Sequence, residues 1–276
     1  MKLFVTGGTG FIGSYFLRAA LAAGHEVAAL RRQGSRPRIA LSQEPRWIEK
    51  NLEEVSSSDF QQADVLVHLA AHGVDAQAAD WPACFEVNVA QSLHCWREAV
   101  QAGVKKLLIC GSCFEYGRSA EKYDFIPVTA PLEPTGPYHA SKAAATMAAL
   151  GLAVHSKTPT IIFRPFHVYG EGEAPQRFWP QLRAAALSGA DFPMSEGHQM
   201  RDFIAAEKVA EKILSLAAHS LPEPDISLIV NVGSGQPKRL IDFARERWTH
   251  WDAKGKIIAG ALPYRENEVM RYVPLL

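Results

Sequence analysis

The sequence predicts an α/β fold in which a parallel sheet is covered by helices on both faces. Apolar runs of strand length alternate with stretches of helical periodicity over the first 165 residues. Strands that alternate with helices form βαβ units, and such units build a doubly wound parallel sheet. The chain has 276 residues, of which 47% are hydrophobic, so it can form one large domain, with or without a smaller lobe.

Six apolar runs carry the predicted strands before residue 166. In chain order they are KLFVTG (2–7), EVAAL (26–30), RWIE (46–49), DVLVHLAA (64–71), VKKLLICGS (104–112) and TPTIIFRP (158–165). The fourth is nearly continuous in apolar residues, which is typical of a strand buried on both faces. Helical periodicity fills residues 14–24, 79–103 and 138–155, and the first two of these segments end at glycine.

Charge and composition exclude several classes of partner. The chain has 29 Lys and Arg residues and 29 Asp and Glu residues, so its net charge is zero. This balance favours neither nucleic acid nor an anionic membrane as a partner. No apolar run approaches the length of a membrane span. The opening residues MKLFVTGG lack the pattern of a signal peptide, so we expect a cytoplasmic protein.

The four cysteines are predicted to be reduced thiols. Cys84, Cys95, Cys110 and Cys113 all lie in one internal segment, whereas a disulfide framework would be spread along the chain. Cys110 and Cys113 form one C-x-x-C without a second pair, and a structural zinc site needs four ligands. The sequence therefore predicts no metal site.

A glycine motif follows the first predicted strand. Gly7, Gly10 and Gly13 lie in TGGTGFIG, directly after the strand and at the start of a helix. In this context the glycines permit a tight turn, close approach of the backbone to a pyrophosphate, and close packing of helix on strand. The motif predicts a dinucleotide site in a Rossmann-type sheet.

The end of the second strand predicts which dinucleotide binds. A site for NAD usually has Asp or Glu there, bonded to the ribose 2′-hydroxyl. This chain has Arg31 and Arg32 instead, and a guanidinium can bind a 2′-phosphate through two hydrogen bonds. The sequence therefore favours NADP over NAD.

Three residues are candidates for proton transfer. Tyr138 and Lys142 lie four residues apart at a helix start, so they share one face. A nearby ammonium favours the phenolate and is expected to lower the pKa of Tyr138. The hydroxyl of Ser112, at the end of a buried strand, can bind a substrate oxygen. Together they suit interconversion of a carbonyl and an alcohol.

These motifs resemble the extended short-chain dehydrogenases/reductases, specifically the nucleotide-sugar epimerase/dehydratase family. TGGTGFIG matches the cofactor loop, HLAA the end of the fourth strand, CGSCFEYG the serine segment that ends in Tyr-Gly, and YHASK the catalytic pair. The resemblance implies that Ser112, Tyr138 and Lys142 are catalytic. The cofactor contacts it implies are Gly7, Gly10, Phe11, Ile12, Gly13, Arg31, Arg32, Asn51, Leu52, Leu69, Ala70, Ala71, Asn88, Tyr138, Lys142 and Pro165.

Motifs in the second half resemble the family's substrate-binding segments. RPFHVYG places His167 where an asparagine is common, and RDFI places Arg201 at the arginine that contacts the nucleotide-sugar diphosphate. LPYRENEVMRY places Arg265 at a second such arginine. Cys113 and Phe114 follow the catalytic serine and are implied to touch substrate.

The resemblance also implies the domain organisation. LIVNVGSG resembles a strand that returns to the Rossmann sheet. A Rossmann domain would comprise residues 1–165 and about 205–234, and a smaller, discontinuous substrate lobe would comprise about 166–204 and 235–276. The segments 79–102 and 138–155 resemble the helices that pair in the family's dimers, so we expect a homodimer.

The residues after Ser112 disfavour one of the family's reactions. Family 4,6-dehydratases carry an Asp-Glu pair there, because elimination of water needs a further acid and base. This chain has Cys113 and Phe114 instead. Glu115 lies one place later, where an extended segment would turn it to the opposite face.

Reduction and epimerisation remain. The chain is most similar in its motifs to reductases of 4-keto deoxysugar nucleotides, and the two arginines favour NADPH as a consumed substrate. We therefore expect NADPH-dependent reduction of a keto group, at C4, on a nucleotide-linked deoxyhexose. The alternatives are an NAD-dependent nucleotide-sugar 4-epimerase and a catalytically silent NADP-binding regulator.

Overall fold

The structure, a computed structural model, describes residues 1–74, 79–221, 226–265 and 268–276. Its strands are β1 (Lys2–Thr6), β2 (Glu26–Arg31), β3 (Arg46–Glu49), β4 (Val65–His68), β5 (Lys106–Cys110), β6 (Thr160–Pro165), β7 (His167–Tyr169), β8 (Phe192–Pro193), β9 (Met200–Ala205), β10 (Ser227–Val232), β11 (Pro237–Arg239), β12 (Ile257–Ile258) and β13 (Arg271–Tyr272). Its α-helices are α1 (Phe11–Ala22), α2 (Trp81–Phe85), α3 (Ser92–Gln101), α4 (Pro137–Ser156), α5 (Phe178–Ser188), α6 (Ala206–Ala218) and α7 (Leu240–His250).

Seven strands form one parallel sheet in the order β3-β2-β1-β4-β5-β6-β10. The chain moves outward in one direction from β1 to β3 and then returns to add β4 on the other side of β1. The strand order therefore reverses between β1 and β4, and ligands of such sheets bind at the carboxyl ends of the strands beside this reversal. The predicted α/β fold with a doubly wound parallel sheet is confirmed.

Helices cover both faces of this sheet because each face is apolar. One face buries Phe16 of α1 and Val209 of α6 against the strands. The other buries Trp96 of α3 and Ala149 of α4. Strand β4, at the centre, is buried along its whole length, as its apolar run predicted. Burial on both faces holds the carboxyl ends of the central strands in fixed positions.

A smaller sheet lies beyond β6 and β10. Strand β9 is its centre and pairs with β7 and β13 in parallel and with β11 in antiparallel fashion. Because β7 begins two residues after β6 ends, this sheet starts at the carboxyl end of β6. Helices α5 and α7 pack together beside it around a second apolar cluster that includes Leu182 and Trp248.

Among the described residues, no helix is both long enough and apolar enough to cross a membrane.

Candidate active site

The loop between β1 and α1 is built on three glycines that leave no room for side chains. Gly7 has φ +70°, which favours glycine, and a Cβ there would lie 2.5 Å from the Ala70 nitrogen. A Cβ at Gly13 would lie 2.1 Å from the Gly7 carbonyl oxygen. Gly10 donates its N–H to the same oxygen at 2.9 Å. The loop therefore presents bare backbone, which a pyrophosphate can approach closely.

Helix α1 begins at this loop without a side-chain cap. Gly10 is its N-cap residue, Phe11 and Ile12 are its first two residues, and its first turn contains no acidic side chain. The first amides of a helix lack partners within the helix, and the helix dipole makes this end positive. The start of α1 therefore suits a phosphate, and Phe11 and Ile12, two of the predicted cofactor contacts, lie at this end.

The segment after β4 lies against the glycine loop. Leu69 donates its N–H to the Thr6 carbonyl oxygen at 3.1 Å, and Ala70 donates to the Thr6 hydroxyl at 3.4 Å. Ala71 follows at the exposed edge. Pro165 ends β6 on the same side of the sheet and is paired in register with Val232. The predicted cofactor residues of three strand ends are thus brought to one edge.

Asn88 joins the segment after β4 to helix α4. It lies in a π-helical turn, Glu86–Gln91, between α2 and α3. Its amide oxygen accepts the His72 N–H at 2.8 Å, and its amide nitrogen donates to the Ser141 hydroxyl at 2.9 Å. A π-turn shifts the helix face, and such turns are frequent at functional sites. Asn88 therefore orients the helix that carries Tyr138 and Lys142.

Beneath this edge, His68 is fully buried at the end of β4. Its ring nitrogens are 2.9 Å from the Thr6 hydroxyl and 3.1 Å from the Ser92 hydroxyl. Burial, assisted by the charge of Lys142, lowers the pKa of His68 to about 3. The imidazole is therefore neutral at physiological pH and links β1, β4 and α3.

The arginines after β2 lie at the far end of the same edge. Both Nε and Nη2 of Arg31 donate to Glu49 Oε1, at 3.0 and 2.6 Å, and the guanidinium lies 4.9 Å from the Trp47 ring centroid. Arg32 is exposed. Asn51 begins a short 3-10 turn, Leu52–Glu54, in which Leu52 is buried. The sequence did not indicate that Glu49 pairs with Arg31.

A cavity beside Arg31 contains two further arginines that the sequence reading missed. Its volume is about 580 Å³, and Arg36 and Arg38 line it together with Arg31. The Arg38 N–H is bonded to the Ser14 hydroxyl of α1 at 2.8 Å, which fixes this loop beside the glycine motif. The signal in the sequence was RRQGSRPR (31–38), in which two further arginines follow within six places of Arg32.

Ser112, Tyr138 and Lys142 converge at the end of β5. Ser112 is the last residue before a 3-10 turn, and its hydroxyl accepts the Phe114 N–H at 3.2 Å. Lys142 is buried on α4 and donates from Nζ to the Cys110 carbonyl oxygen at 2.6 Å. Tyr138 lies one helical turn before Lys142. The three predicted catalytic residues are thus brought together.

The pKa of Tyr138 differs from the expected direction. Burial raises the pKa of the phenol above its ordinary value, and the thiol groups nearby add to this, while a hydrogen bond with Ser112 opposes it. Burial, the largest cause of the shift, outweighs the lowering expected from Lys142. In this structure Tyr138 therefore holds its proton firmly.

The segment after Ser112 is not extended, and the prediction that it is was wrong. Cys113–Glu115 forms a 3-10 turn that directs the Glu115 side chain into the protein. There the carboxylate forms an ion pair with Arg164, at 2.9 Å, in which neither side chain is exposed by more than 2%. Burial raises the pKa of Glu115, and the Arg164 charge opposes this.

Between Ser112 and Glu115 lie Cys113 and Phe114, two of the predicted substrate-binding residues; the space beside them is the predicted substrate pocket. Phe114 stacks on His139, with ring centroids 4.9 Å apart, and meets the edges of His167 and Tyr272 at 6.0 and 5.7 Å. Cys113 is buried, and burial raises the pKa of its thiol to about 12. Beside Ser112 the chain therefore presents aromatic rings and a protonated thiol.

The described cysteines behave as thiols. Cys84, Cys95, Cys110 and Cys113 are all unbridged. Burial raises the pKa of Cys110 to about 11, so its thiolate is scarcely populated at neutral pH. Within the described ranges, no group of three or more His, Cys, Asp or Glu side chains is placed to hold a metal ion.

The two predicted diphosphate arginines lie in different surroundings. Arg201 is buried on β9, and its Nη2 donates to Glu268 Oε1 at 2.6 Å and to the Val269 carbonyl oxygen at 2.7 Å. Its charge opposes the rise that burial causes in the pKa of Cys113 and adds to the fall that burial causes in the pKa of His167, so it lies near both residues. Arg265 is exposed on the segment that precedes Glu268.

Two further charged residues near this pocket were missed from the sequence. Glu173 and Arg177 lie in the loop between β7 and α5, with Glu173 Oε1 3.6 Å from Arg177 Nε. The other carboxylate oxygen of Glu173 is buried without a hydrogen bond. Burial raises the pKa of Glu173 to about 7 despite Arg177. The only signal in the sequence was EGEAPQR (171–177), directly after the Tyr-Gly turn.

Comparison with known proteins agrees with this geometry. The model of the NAD dependent epimerase/dehydratase family matches residues 3–233. The chain belongs to this family. It is 27% identical to a UDP-glucose 4-epimerase of Corynebacterium glutamicum, over 91% of this chain and 81% of that protein. It is 26% identical to a dTDP-L-rhamnose 4-epimerase of Burkholderia thailandensis, over 97% of this chain and 85% of that protein.

Solved structures of family members superpose on the whole chain. A novel NAD dependent NDP-hexosamine 5,6-dehydratase, TunA, is 29% identical with a TM-score of 0.83, covering 99% of this chain and 88% of that one. MoeE5 in complex with UDP-glucuronic acid and NAD is 25% identical with a TM-score of 0.84, covering 100% and 90%. The family therefore contains nucleotide-sugar enzymes that bind a nicotinamide dinucleotide, as the resemblance implied.

The raised pKa of Glu173 makes a testable contribution to stability. Between its ordinary pKa and about 7 the folded protein keeps a proton that the unfolded chain has released, so stability falls as pH rises through this range. Between pH 5 and pH 8 the free energy of unfolding should fall in both the parent protein and Glu173→Gln. We expect this fall to be about 2–3 kcal/mol smaller in Glu173→Gln than in the parent. Urea unfolding at both pH values measures it. Glu171→Gln, at an exposed neighbour, is the control, and parallel pH curves for parent and Glu173→Gln would contradict the prediction.

Proposed function

We propose that the protein reduces a keto group, at C4, on a nucleotide-linked deoxyhexose and consumes NADPH. The observation that carries the proposal is the meeting of Ser112, Tyr138 and Lys142 at the carboxyl edge of the sheet, beside the glycine loop. The loop fits a dinucleotide because its glycines leave a cradle that any Cβ would fill. When bound, the nicotinamide supplies a hydride to the carbonyl carbon.

The protein's own groups supply the proton and the orientation. As hydride reaches the carbon, the carbonyl electron pair moves to oxygen, and Tyr138 donates its phenolic proton to that oxygen. Ser112 orients the oxygen through a hydrogen bond. Lys142 holds Tyr138 and the ribose through its ammonium, which is already placed at the end of β5. The raised pKa of Tyr138 supports a role as proton donor.

The pocket wall supports reduction over dehydration. Elimination of water needs a further acid and base after the serine, where this chain has Cys113 and Phe114. The Cys113 thiol has a pKa near 12, and Phe114 has no titratable group. Glu115 is committed to Arg164 within the protein. We propose that His167 joins this wall in contacting the sugar.

A second sheet supports the proposed substrate lobe. We propose that residues of about 166–204 and 235–276 bind the nucleotide sugar, and that 1–165 with about 205–234 bind the cofactor. Arg201, buried beside the pocket, would bind the diphosphate, and Arg265, on the exposed segment, would reach it from the other side. Arg177 adds a further positive charge near the pocket.

Epimerisation is the second candidate, because two relatives named above are 4-epimerases. An epimerase would retain NAD and show no net consumption of NADPH. A silent regulator, the third possibility, would bind cofactor without turnover.

The reaction is tested with purified protein, NADPH and a panel of nucleotide-linked 4-keto-6-deoxyhexoses. We expect loss of reduced-nicotinamide absorbance with at least one member. Tyr138→Phe should be slower by at least about a hundredfold, because it removes the proton donor, whereas Tyr123→Phe should match the parent. Bound NAD that copurifies, with interconversion of 4-epimers in the absence of added cofactor, would replace the reductase with the epimerase. Absence of any turnover would favour the regulator.

We propose NADPH as the cofactor because three arginines line the cavity at the ribose end of the site. Arg31 forms an ion pair with Glu49, but both side chains are partly exposed. Such pairs contribute only about 0–1 kcal/mol to the free energy of folding. The guanidinium is therefore available to a 2′-phosphate. Arg36 and Arg38 supply further charge at the same place.

We expect NADPH to bind at least about tenfold more tightly than NADH, which corresponds to about 1.4 kcal/mol. Arg31→Asp should remove most of this preference because it replaces a cation by an anion at the 2′-phosphate. Titration of both cofactors against each variant gives the ratio. Arg245→Asp, on the exposed face of α7, is the matched control. Equal affinities for the two cofactors in the parent protein would refute the proposal that NADPH is the cofactor.

We propose a homodimer that pairs through α2, α3 and α4. On α4, Met147 and Val154 are 61% and 67% exposed, and on α2, Trp81 and Phe85 stack while 56% and 37% exposed. Exposed apolar side chains grouped on neighbouring helices are typical of an interface.

At micromolar concentration we expect the protein to sediment with twice the 30.3 kDa mass of one chain. Met147→Glu should shift the protein from dimer toward monomer, whereas the control Leu187→Glu should leave the dimer intact. A parent protein that sediments as a monomer would refute the proposed dimer.

A further inference from the structure

A fully buried carboxylate lies directly beneath the active-site serine. The Glu115 side chain has no exposed surface, and it is only three residues from Ser112, the proposed catalytic serine. Burial of a charge is costly unless the charge is paired and its oxygens are hydrogen-bonded. Both conditions are met here, so the position of this carboxylate is strongly determined.

The two carboxylate oxygens have different partners. Oε1 accepts the backbone N–H of Ser112 at 2.7 Å. Oε2 accepts the Thr146 hydroxyl at 2.8 Å and Nε of Arg164 at 2.9 Å, and Nη2 of Arg164 lies at 2.9 Å. One oxygen thus holds the strand end that carries Ser112, and the other holds helix α4 and strand β6.

Thr146 links the carboxylate to the other two catalytic candidates. It lies one helical turn after Lys142 and two turns after Tyr138, so all three side chains share one face of α4. Thr146 is buried, and so is Lys142. Through the Thr146 hydroxyl the carboxylate therefore fixes the helix face from which Tyr138 and Lys142 reach the pocket.

The backbone makes room for this arrangement at Gly111. A Cβ at Gly111 would lie 2.5 Å from Glu115 Oε1 and 3.2 Å from Arg164 Cγ. Any larger residue would displace the carboxylate from the Ser112 amide. Gly111 donates its own N–H to the Phe163 carbonyl oxygen at 2.7 Å, which keeps β5 and β6 together at this level.

Arg164 is itself held from the far side. Its Nη1 donates to the Tyr116 hydroxyl at 2.9 Å, and Tyr116 donates to Asn231 Oδ1 at 2.7 Å. The amide nitrogen of Asn231 donates to the carbonyl oxygens of Ile126 and Leu275. The hydrogen bonds of this arm anchor the ion pair in β10 and the C-terminal segment and do not involve Ser112 or α4.

We propose that Glu115 is a positioning residue of the active site, whose carboxylate sets the distance between Ser112 on β5 and the Tyr138–Lys142 face of α4. This role deepens the proposed reductase function and rests on it for its kinetic readout. Glu115 touches no substrate; it acts through the Ser112 amide and the Thr146 hydroxyl.

The carboxylate cannot be replaced by its amide. Arg164 presents only donors to one side of the group, where the Thr146 hydroxyl also donates, and the Ser112 N–H presents a donor to the other. A glutamine has one acceptor oxygen and one NH₂ donor. If Arg164 takes the oxygen, the NH₂ faces the Ser112 N–H, and this contact is lost. Glu115→Gln therefore releases Ser112 while keeping the shape of the side chain.

The test compares Glu115→Gln with Tyr116→Phe. The first breaks the contact to Ser112, whereas the second breaks only the arm from Arg164 to Asn231. We expect Glu115→Gln to lower kcat at least about tenfold while the NADPH dissociation constant changes less than about twofold. Tyr116→Phe should lower the melting temperature but leave kcat within about twofold of the parent. Equal losses of kcat in both variants, or no loss in Glu115→Gln, would overturn the proposal.

Two further measurements keep the test decisive. If Glu115→Gln does not fold, Thr146→Val replaces it, and a fall in kcat of about threefold or more supports the role, while an unchanged kcat refutes it. If the parent reduces no sugar nucleotide, the proposed reaction has failed, and hydrogen exchange of the Ser112 amide decides on positioning alone. Faster exchange in Glu115→Gln than in Tyr116→Phe supports it, and equal exchange refutes it.

Discussion

The buried ion pair between Glu115 and Arg164 is the interaction on which the arrangement of the site depends. Removal of either partner would leave an unpaired charge in the interior, which costs about 3–5 kcal/mol. The pair is therefore kept only if β5, β6 and α4 hold the positions that satisfy it. Because Glu115 also accepts the Ser112 amide, the same constraint that stabilises the fold defines where the serine hydroxyl stands.

The predicted cofactor site depends on a different constraint. The backbone of the glycine loop packs directly against neighbouring backbone, with no side chains between them. Gly7 and Gly13 approach so closely that no Cβ fits between β1, α1 and the end of β4. This closeness places the start of α1 at the carboxyl edge of the sheet. The glycine loop is thus placed by a steric constraint and the serine turn by an electrostatic one, and both lie at the same edge of the sheet.

Much of this could be predicted from the sequence because it is local. The alternation of strands and helices, the glycine motif and the Tyr-x-x-x-Lys pair all depend on spacings of a few residues. The turn Cys113–Glu115 could not be predicted, because the direction of the Glu115 side chain is decided by Arg164, which is 49 positions away. The same holds for Glu49 beside Arg31 and for the buried oxygen of Glu173, which depend on contacts between segments. The pKa of Tyr138 was misjudged for the same reason: burial by the whole pocket outweighed one nearby lysine.

The electrostatics of the pocket bear on the direction of proton transfer. Burial, the nearby Cys110 and Cys113 groups and the charge of Glu115 all raise the pKa of Tyr138, and only the Ser112 hydrogen bond opposes them among the main causes. A phenol held protonated is prepared to give its proton to a developing alkoxide and is poorly prepared to remove one from an alcohol. The same buried carboxylate that positions Ser112 therefore also contributes, as the smallest of these causes, to the raised pKa of Tyr138.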